Sequence, residues 1–343
     1  MEINTMSDIQ KQLAVLQVAE RFFDSMVLFG LFDAGVFEIL ASGPKSLEEI
    51  QQRVNGDVES LRATLDAAVA LKVLSRRGGR YEAPEYLLDG LGRQASPAYI
   101  GEEVAFFHAL AGPLRQLGDN IRTGHTPGTL FEEMSGDQAP AHRMTRAMDA
   151  YARSRGIEIV DRVDFTPTRR LLDLGCGPGT YSIAIVQRHP HVRATLLDLP
   201  GPIAEARELA AARHMEDRLE FVAADALSYT PRERFDTVLV SNMLHMIGPA
   251  ESNVLLKRCH DMLTPGGRLI VQALYLNDDR VSPRWPTLLN LIMRVATPNG
   301  RNHAIGETRT WMEEAGLQNV QHVRLSVWNV CGCLVGERPV QAA

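Results

Sequence analysis

The chain has 343 residues, of which 45% are hydrophobic and 23% charged, with a formal net charge of −6. That length exceeds one ordinary domain of about 100–200 residues, and the apolar fraction excludes a disordered chain, so two folded domains are expected. The acidic balance lacks the footprint that nucleic-acid binding leaves, and no stretch approaches the roughly 18 consecutive apolar residues of a membrane helix, so neither kind of partner is expected.

The N-terminus, Met1-Glu2-Ile3-Asn4-Thr5, carries no basic segment followed by an apolar core, and the four cysteines, Cys176, Cys259, Cys331 and Cys333, are scattered. A reduced, cytoplasmic setting is the expectation. From residue 9 to about residue 151 apolar side chains recur at helical spacing, as in Leu13, Leu16, Val18, Phe22 and Phe23. Helices this rich in Phe and Leu predict self-association. Ser46-Leu47-Glu48-Glu49 has the capping-box pattern that starts a helix, and Leu61, Leu65, Ala68 and Val69 mark the apolar face of a second. Residues 73–82 then predict a hairpin turning on Gly78-Gly79. Two helices and a hairpin make a winged helix. The helix in the DNA-reading position sets Glu59 and Asp66 against a single Arg62, which leaves no charge to neutralise phosphates, so a pairing role is the better reading.

Beyond Thr168 short apolar runs at 170–174, 194–199, 219–222, 237–240 and 268–272 alternate with helix-length segments. The alternation predicts a mostly parallel, doubly wound sheet, with a boundary near Asp164-Phe165-Thr166-Pro167. A further strand is expected over 327–335, where Cys331 and Cys333 share one face; no second Cys or His pair accompanies them, so their expected role is structural.

Leu172-Asp173-Leu174-Gly175-Cys176-Gly177-Pro178-Gly179-Thr180 stands where the first strand turns into the first helix, the place where open α/β sheets bind cofactors. It is not the dinucleotide fingerprint, because Thr180 takes the third glycine's position and Asp173 would repel a pyrophosphate. A ligand carrying an ammonium or sulfonium cation suits Asp173, which points to S-adenosylmethionine. Asp198 ends the second strand about twenty residues on, where a carboxylate accepts ribose hydroxyls. Asp225 follows the third strand, placed to accept an adenine amino group. Each acid alone is more often a helix cap or a solvated turn residue. Three at successive strand ends read as a site.

The glycine-rich turn, Asp198-Leu199-Pro200, Asp225, Ser241-Asn242-Met243-Leu244-His245 and Leu263-Thr264-Pro265-Gly266-Gly267-Arg268-Leu269 together resemble the class I methyltransferases of the plant-caffeate-type and bacterial small-molecule O-methyltransferase family. The helical half resembles that family's dimerisation domain. The resemblance implies a Rossmann-like, doubly wound α/β methyltransferase domain at 166–343, preceded by an all-α winged-helix dimerisation domain at 1–110 and by linking helices at 111–165. It implies a homodimer that binds S-adenosyl-L-methionine through Asp173, Gly175, Gly177, Asp198, Leu199, Asp225, Ala226 and Ser241. A small aromatic acceptor would lie between the domains, against Phe106, Phe107, Met148, Tyr151, Trp285, Asn290, Met293 and Arg294. Aromatic and Met side chains at such spacing are also what ordinary packing produces.

His245 falls at the position of the family's catalytic histidine, a residue type suited to take a proton near neutrality. The surroundings depart from the plant pattern. The next residue is Met246, the first flanking acid falls at Ala273 beside Gln272, and the second falls near Asn302. Without a carboxylate partner the imidazole is a poorly supported base. Three mechanisms stay open: deprotonation of a phenol or enol by His245, methylation by proximity of a group that ionises unaided, or transfer to carbon or nitrogen, in one version with a metal at His245 and His303. The competing classes are a winged-helix regulator that senses S-adenosylmethionine without turnover and, more distantly, an NAD-linked enzyme.

Overall fold

In the computed structural model of the chain, the described residues are 7–124, 139–153, 157–325 and 332–340, with backbone alone for 139–144. The chain divides into two compact units between His108 and Ala109.

The N-terminal unit opens with α1 (Asp8–Asp33), whose start is set by a reciprocal cap: Gln10 N–H donates to Ser7 Oγ at 3.3 Å and Ser7 N–H to Gln10 Oε1 at 2.8 Å. α2 (Val36–Leu40), α3 (Leu47–Val54) and α4 (Val58–Ala70) follow. Ser46 and Glu49 form the expected capping box at the head of α3. The hairpin closes on Gly78 and Gly79 as β2 (Ser75–Arg77) and β3 (Arg80–Glu82), and β1 (Lys45–Ser46) joins β3 as a third strand too short to be seen as a sequence pattern. Phe37, Ile50, Leu65 and Tyr81 fill the core between helices and hairpin. Arg76, Arg77 and Arg80 on the wing pair with Asp66, Glu82 and Glu49 at 2.8, 3.1 and 2.7 Å. α1 reaches the core through Leu31, whereas Ile9, Leu13, Val15, Leu16, Val18, Phe22 and Phe23 each expose half or more of their surface. The unit ends in α5 (Gly101–Ala109), which carries Phe106 and Phe107 with their rings 6.0 Å apart.

The second unit contains α6 (Ala139–Tyr151), β4 (Arg170–Leu174), α7 (Thr180–Arg188), β5 (Arg193–Asp198), α8 (Pro200–Ala212), β6 (Leu219–Ala223), β7 (Phe235–Ser241) and α9 (Pro249–Met262). β8 (Leu263–Ala273), α10 (Arg284–Ala296), α11 (Ile305–Glu314), β9 (Gln318–Arg324) and β10 (Gly332–Glu337) complete it. The sheet runs β6-β5-β4-β7-β8-β10-β9. β4 to β8 are parallel, and β10 inserts antiparallel to both β8 and β9. Successive residues on a strand point to opposite faces. Leu171 accordingly joins the cluster with Ile183, Val186 and Ile203, and Leu172 joins Leu255, Leu256 and Met262 on the other face. Helices cover both faces, which is why the inner strands are continuously apolar.

Two expectations need correction. The strand after Gly266-Gly267 runs back to Leu263, so it is longer than 268–272. β9 has no counterpart among the expected strands, because Gln318-Asn319-Val320-Gln321-His322-Val323-Arg324 buries only Val320 fully and carries the polar pattern of a sheet edge. The last expected strand is described as Gly332–Glu337; residues 327–331, including Cys331, lie outside the described residues, and Cys333 is buried opposite Gln272. No helix among the described residues is long and apolar enough to cross a membrane.

Strand order reverses at β4, whose neighbours are β5 and β7. The connections that leave β4 and β7 diverge to opposite sides and open a crevice at the strands' carboxyl ends, where such sheets hold ligands.

Candidate active site

The turn after β4 is held by Leu197, whose carbonyl accepts the N–H of Gly175 at 2.8 Å and of Cys176 at 3.1 Å. Gly177 sits at φ 53, in the left-handed region that favours glycine, and a Cβ added there would meet nothing within 4 Å. Backbone is thus presented bare at this point. Gly179 supplies the close approach of helix to sheet, since a Cβ there would stand 2.4 Å from Leu196 Cδ2. Thr180, in place of the fingerprint's third glycine, donates from its hydroxyl to buried Asp149 at 2.6 Å and so ties α7 to α6.

Asp173 is fully buried on β4, where Ser182 Oγ donates to Oδ2 at 2.6 Å and Oδ1 has no partner. Burial pushes its carboxyl up to about 7, against the stabilising Ser182 hydroxyl. Asp198 ends β5 and accepts two backbone N–H groups, from Gly177 and from Leu199, both at 2.7 Å. Burial raises its pKa too, and those two bonds oppose the rise. Asp225 follows β6 at the surface; its Oδ1 accepts the Leu227 N–H at 2.9 Å, a turn-forming bond, and Ala226 beside it is buried.

Across the crevice, Ser241 ends β7 and donates from Oγ to Gln272 Oε1 at 3.2 Å. Asn242 turns the chain at φ 51, a conformation that Asn tolerates better than other side chains, and donates from Nδ2 to the Tyr181 hydroxyl at 3.3 Å. His245 lies on the one-turn helix Leu244–Met246 that follows. Asp173 Oδ1, Asn242 Oδ1, Gln272 Nε2 and His245 Nδ1 are buried without a hydrogen-bond partner. Each such atom costs about 1–3 kcal/mol. These four cluster around the carboxyl ends of β4, β7 and β8. Asn242 and Gln272 gain no role from the sequence alone, because an amide at or near a strand end has no distinctive spacing.

Burial, with a smaller contribution from His303, pushes the His245 imidazole down to about 4, so at neutral pH the ring is unprotonated and able to accept a proton. His303 is buried, with Nε2 3.0 Å from the Leu244 carbonyl and Nδ1 3.8 Å from Glu307 Oε2. With one ring nitrogen committed to a carbonyl, it is poorly disposed to share a metal with His245, and no cluster of three or more candidate ligands occurs among the described residues. Neither position of the plant carboxylates supports His245. Ala273 is buried, and Asn302 is committed elsewhere, donating from Nδ2 to the Pro286 carbonyl at 2.7 Å and from its backbone to Asn290 Oδ1 at 2.9 Å.

The expected acceptor residues divide by environment. Tyr151 and Trp285 pack partly buried against the sheet's core, and Met148 is half-buried on α6. Met293 is buried in α10, Asn290 holds Asn302, and Arg294 leans from Nη2 toward the Gly124 carbonyl at 3.5 Å. Phe106 and Phe107 belong to α5 of the N-terminal unit.

Residues 107–318 match the O-methyltransferase domain family, and residues 16–90 match the O-methyltransferase dimerisation domain. The chain is 28% identical over 331 residues to the 3-hydroxy-5-methyl-1-naphthoate 3-O-methyltransferase of Streptomyces sahachiroi, covering 93% of each chain. It is 25% identical over 333 residues to the N,N-dimethyltransferase OxyT of Streptomyces rimosus, covering 95% of this chain and 96% of that one. The fold is similar to that of human N-acetylserotonin methyltransferase solved in complex with S-adenosylmethionine, with a TM-score of 0.84 and 21% identity over 99% of this chain and 100% of that one. With a doubly wound sheet, a bare glycine-rich turn and acids at its strand ends, the chain belongs to the O-methyltransferase family and is an S-adenosylmethionine-dependent methyltransferase.

Proposed function

We propose that the chain methylates an acidified phenolic or enolic hydroxyl of a small aromatic molecule and works as a homodimer. The observation that carries the site is the group of buried, unpartnered polar atoms at the carboxyl ends of β4, β7 and β8. The residues around them fit the cofactor: Asp173 would hold its cationic amino-acid end, the Gly177 backbone would lie against it, Asp198 and Leu199 would hold the ribose, Asp225 and Ala226 the adenine, and Ser241 the ribose and carboxylate side. When bound, S-adenosylmethionine supplies a methyl group on a positively charged sulfur.

The protein's part is to hold the acceptor oxygen in line and to deal with its proton. His245 is neutral at pH 7 and available as a base, but with a pKa of about 4 it is a weak one. Moving a proton to it from an ordinary phenol of pKa ~10 is uphill by ~8 kcal/mol, at about 1.36 kcal/mol per unit. General-base help alone, about 10²–10⁴-fold, does not close that gap, whereas alignment contributes ~7–11 kcal/mol. The favoured acceptor therefore carries a hydroxyl made acidic by a neighbouring carbonyl or an extended ring system, as in the hydroxynaphthoate that names one relative.

A series of hydroxynaphthoates and substituted phenols graded in acidity, assayed with labelled cofactor, tests this. Transfer should climb as acceptor pKa falls. His245→Ala should cost about 10²-fold on the weakly acidic phenols and under about tenfold on those already ionised. Equal losses across the series would end the base role, and transfer confined to amines would favour the nitrogen chemistry named for OxyT.

Pairing rests on the exposed apolar side chains of α1, which are too extensive to stay in water. Light scattering at micromolar protein should return twice the 38.0 kDa chain mass, and Phe22→Asp with Phe23→Asp should return that mass once. A monomeric mass for the unaltered chain would remove the homodimer.

A further inference from the structure

His303 is buried, with Nε2 committed to a backbone carbonyl and Nδ1 without a hydrogen-bond partner. Its Nε2 lies 3.0 Å from the carbonyl of Leu244, the residue directly before His245, and 3.4 Å from Ser252 Oγ on α9. A carbonyl has no proton to give, so Nε2 carries the hydrogen and donates it. Trp311 closes the ring's side edge-on, with centroids 5.0 Å apart. Glu307 Oε2 faces Nδ1 at 3.8 Å, while its Oε1 is taken by Arg301 at 2.6 Å and Arg280 at 3.3 Å. Burial and the two guanidiniums keep His303 neutral near pH 7, the state with a single N–H to place, while Glu307 and the Leu244 carbonyl pull the other way.

The same stretch of chain packs against the next carbonyl. A Cβ at Gly300 would stand 2.5 Å from the His245 oxygen, so the backbone at Gly300 lies directly against the turn that presents the imidazole. The turn closes on itself through Met246 N–H to the Met243 carbonyl at 2.9 Å, and among the described residues the Leu244 carbonyl otherwise accepts the long 3.3 Å bond from Ile247 N–H. A donor from outside the turn adds a shorter bond to that second carbonyl.

We propose that His303 is a positioning residue for methyl transfer: by donating from Nε2 to the Leu244 carbonyl it fixes the His245 turn and thereby the aim of the His245 ring. It takes over the orienting role that a carboxylate has in the plant enzymes, acting through the backbone where the carboxylate would act on the ring. The proposal rests on His245 lying at the transfer site.

Glutamine places an amide N–H where histidine has Nε2, asparagine places it too far back, and leucine has none. Hydrogen exchange of residues 244–247 reports the turn without any acceptor or cofactor. Exchange should quicken about tenfold or more in His303→Leu and His303→Asn and stay near the unaltered rate in His303→Gln. With a hydroxynaphthoate acceptor, kcat should drop about 10–100-fold in the first two, with KM for both substrates within about threefold, and recover in the glutamine variant. If glutamine fails to rescue exchange, or if exchange quickens with kcat unchanged, the proposal is overturned. Should the leucine variant not fold, the asparagine and glutamine pair decides alone. His245→Ala tests the underlying reading separately: if it retains full turnover while exchange follows the expected order, the site assignment fails and the turn contact stands.

Discussion

Replacing Asp198 with alanine lowers the affinity for S-adenosylhomocysteine about 10²-fold or more by calorimetry, the largest single loss expected from this site. The carboxylate sits at the end of β5 with two backbone N–H groups already on it, so its position is set before any ligand arrives. Burial raises its pKa, which means that its charge is poorly solvated and gains from further donors. A hydrogen bond to a charged group contributes about 1.5–3 kcal/mol, so a pair of ribose hydroxyls is worth about 3–6 kcal/mol. Two effects trim that figure. The ribose must share Asp198 with Gly177, and the loss of the side chain frees the Gly177 N–H for the ligand. The asparagine variant, which keeps one acceptor oxygen, should fall between. Affinity unchanged within threefold in the alanine variant would sink the ribose assignment.

Asp173→Asn should make the ligand-free protein more stable at pH 8 and the cofactor complex weaker. The sign follows from a folded-state pKa of about 7, above the ordinary value of 3.8. Between those values the folded chain binds a proton that the unfolded chain does not, so stability falls as pH rises through that window. About three units at 1.36 kcal/mol each give a loss of about 4 kcal/mol by pH 8, an upper bound for a group fully buried beside one hydroxyl. Asparagine stays neutral and avoids the loss. Its advantage in melting temperature should therefore be small at pH 4 and large at pH 8. A cation beside Asp173 draws its proton off, so cofactor affinity in the unaltered protein should rise between pH 5.5 and 7, with proton release visible in buffers of different ionisation enthalpy. In the asparagine variant that pH dependence should vanish and affinity should be lower throughout. The same melting gap at both pH values, or unaltered affinity, would contradict the role. The geometry is a trade of apo stability for a cation site.

Much of this was legible along the chain because it depends on neighbours a few residues apart. The Ser46 and Glu49 cap, the Gly78-Gly79 turn and the apolar runs of β4, β5 and β7 follow from local rules of capping, turning and burial. Asp173 and Asp198 stood out because strand ends recur at regular spacing and each carried an acid. β9 and β10 were harder. An antiparallel strand slotted between β8 and an edge is a choice of pairing partner, and edge strands lack the apolar pattern that identifies inner ones.

The site's finer chemistry depends on partners distant in sequence. Asp149 reaches Thr180 from 31 residues away, Gln272 reaches Ser241 from 31, and His303 reaches Leu244 from 59. No local pattern announces these pairs. His245 shows the division most clearly. Its residue type and place after β7 marked it as a candidate base, but the burial that pushes it down to about 4 exists only once α10, Gly300 and His303 pack around its turn.

By itself the sequence of this protein determined the order of its inner strands and helices, the crevice end of the sheet and the acids at its strand ends, because these follow from periodicity and strand spacing. Only the tertiary structure decided which of those acids are buried, which polar atoms lack partners and how strong a base the histidine is. Desolvation depends on everything packed around a group, and that is set by the fold as a whole rather than by the residues beside it in the chain.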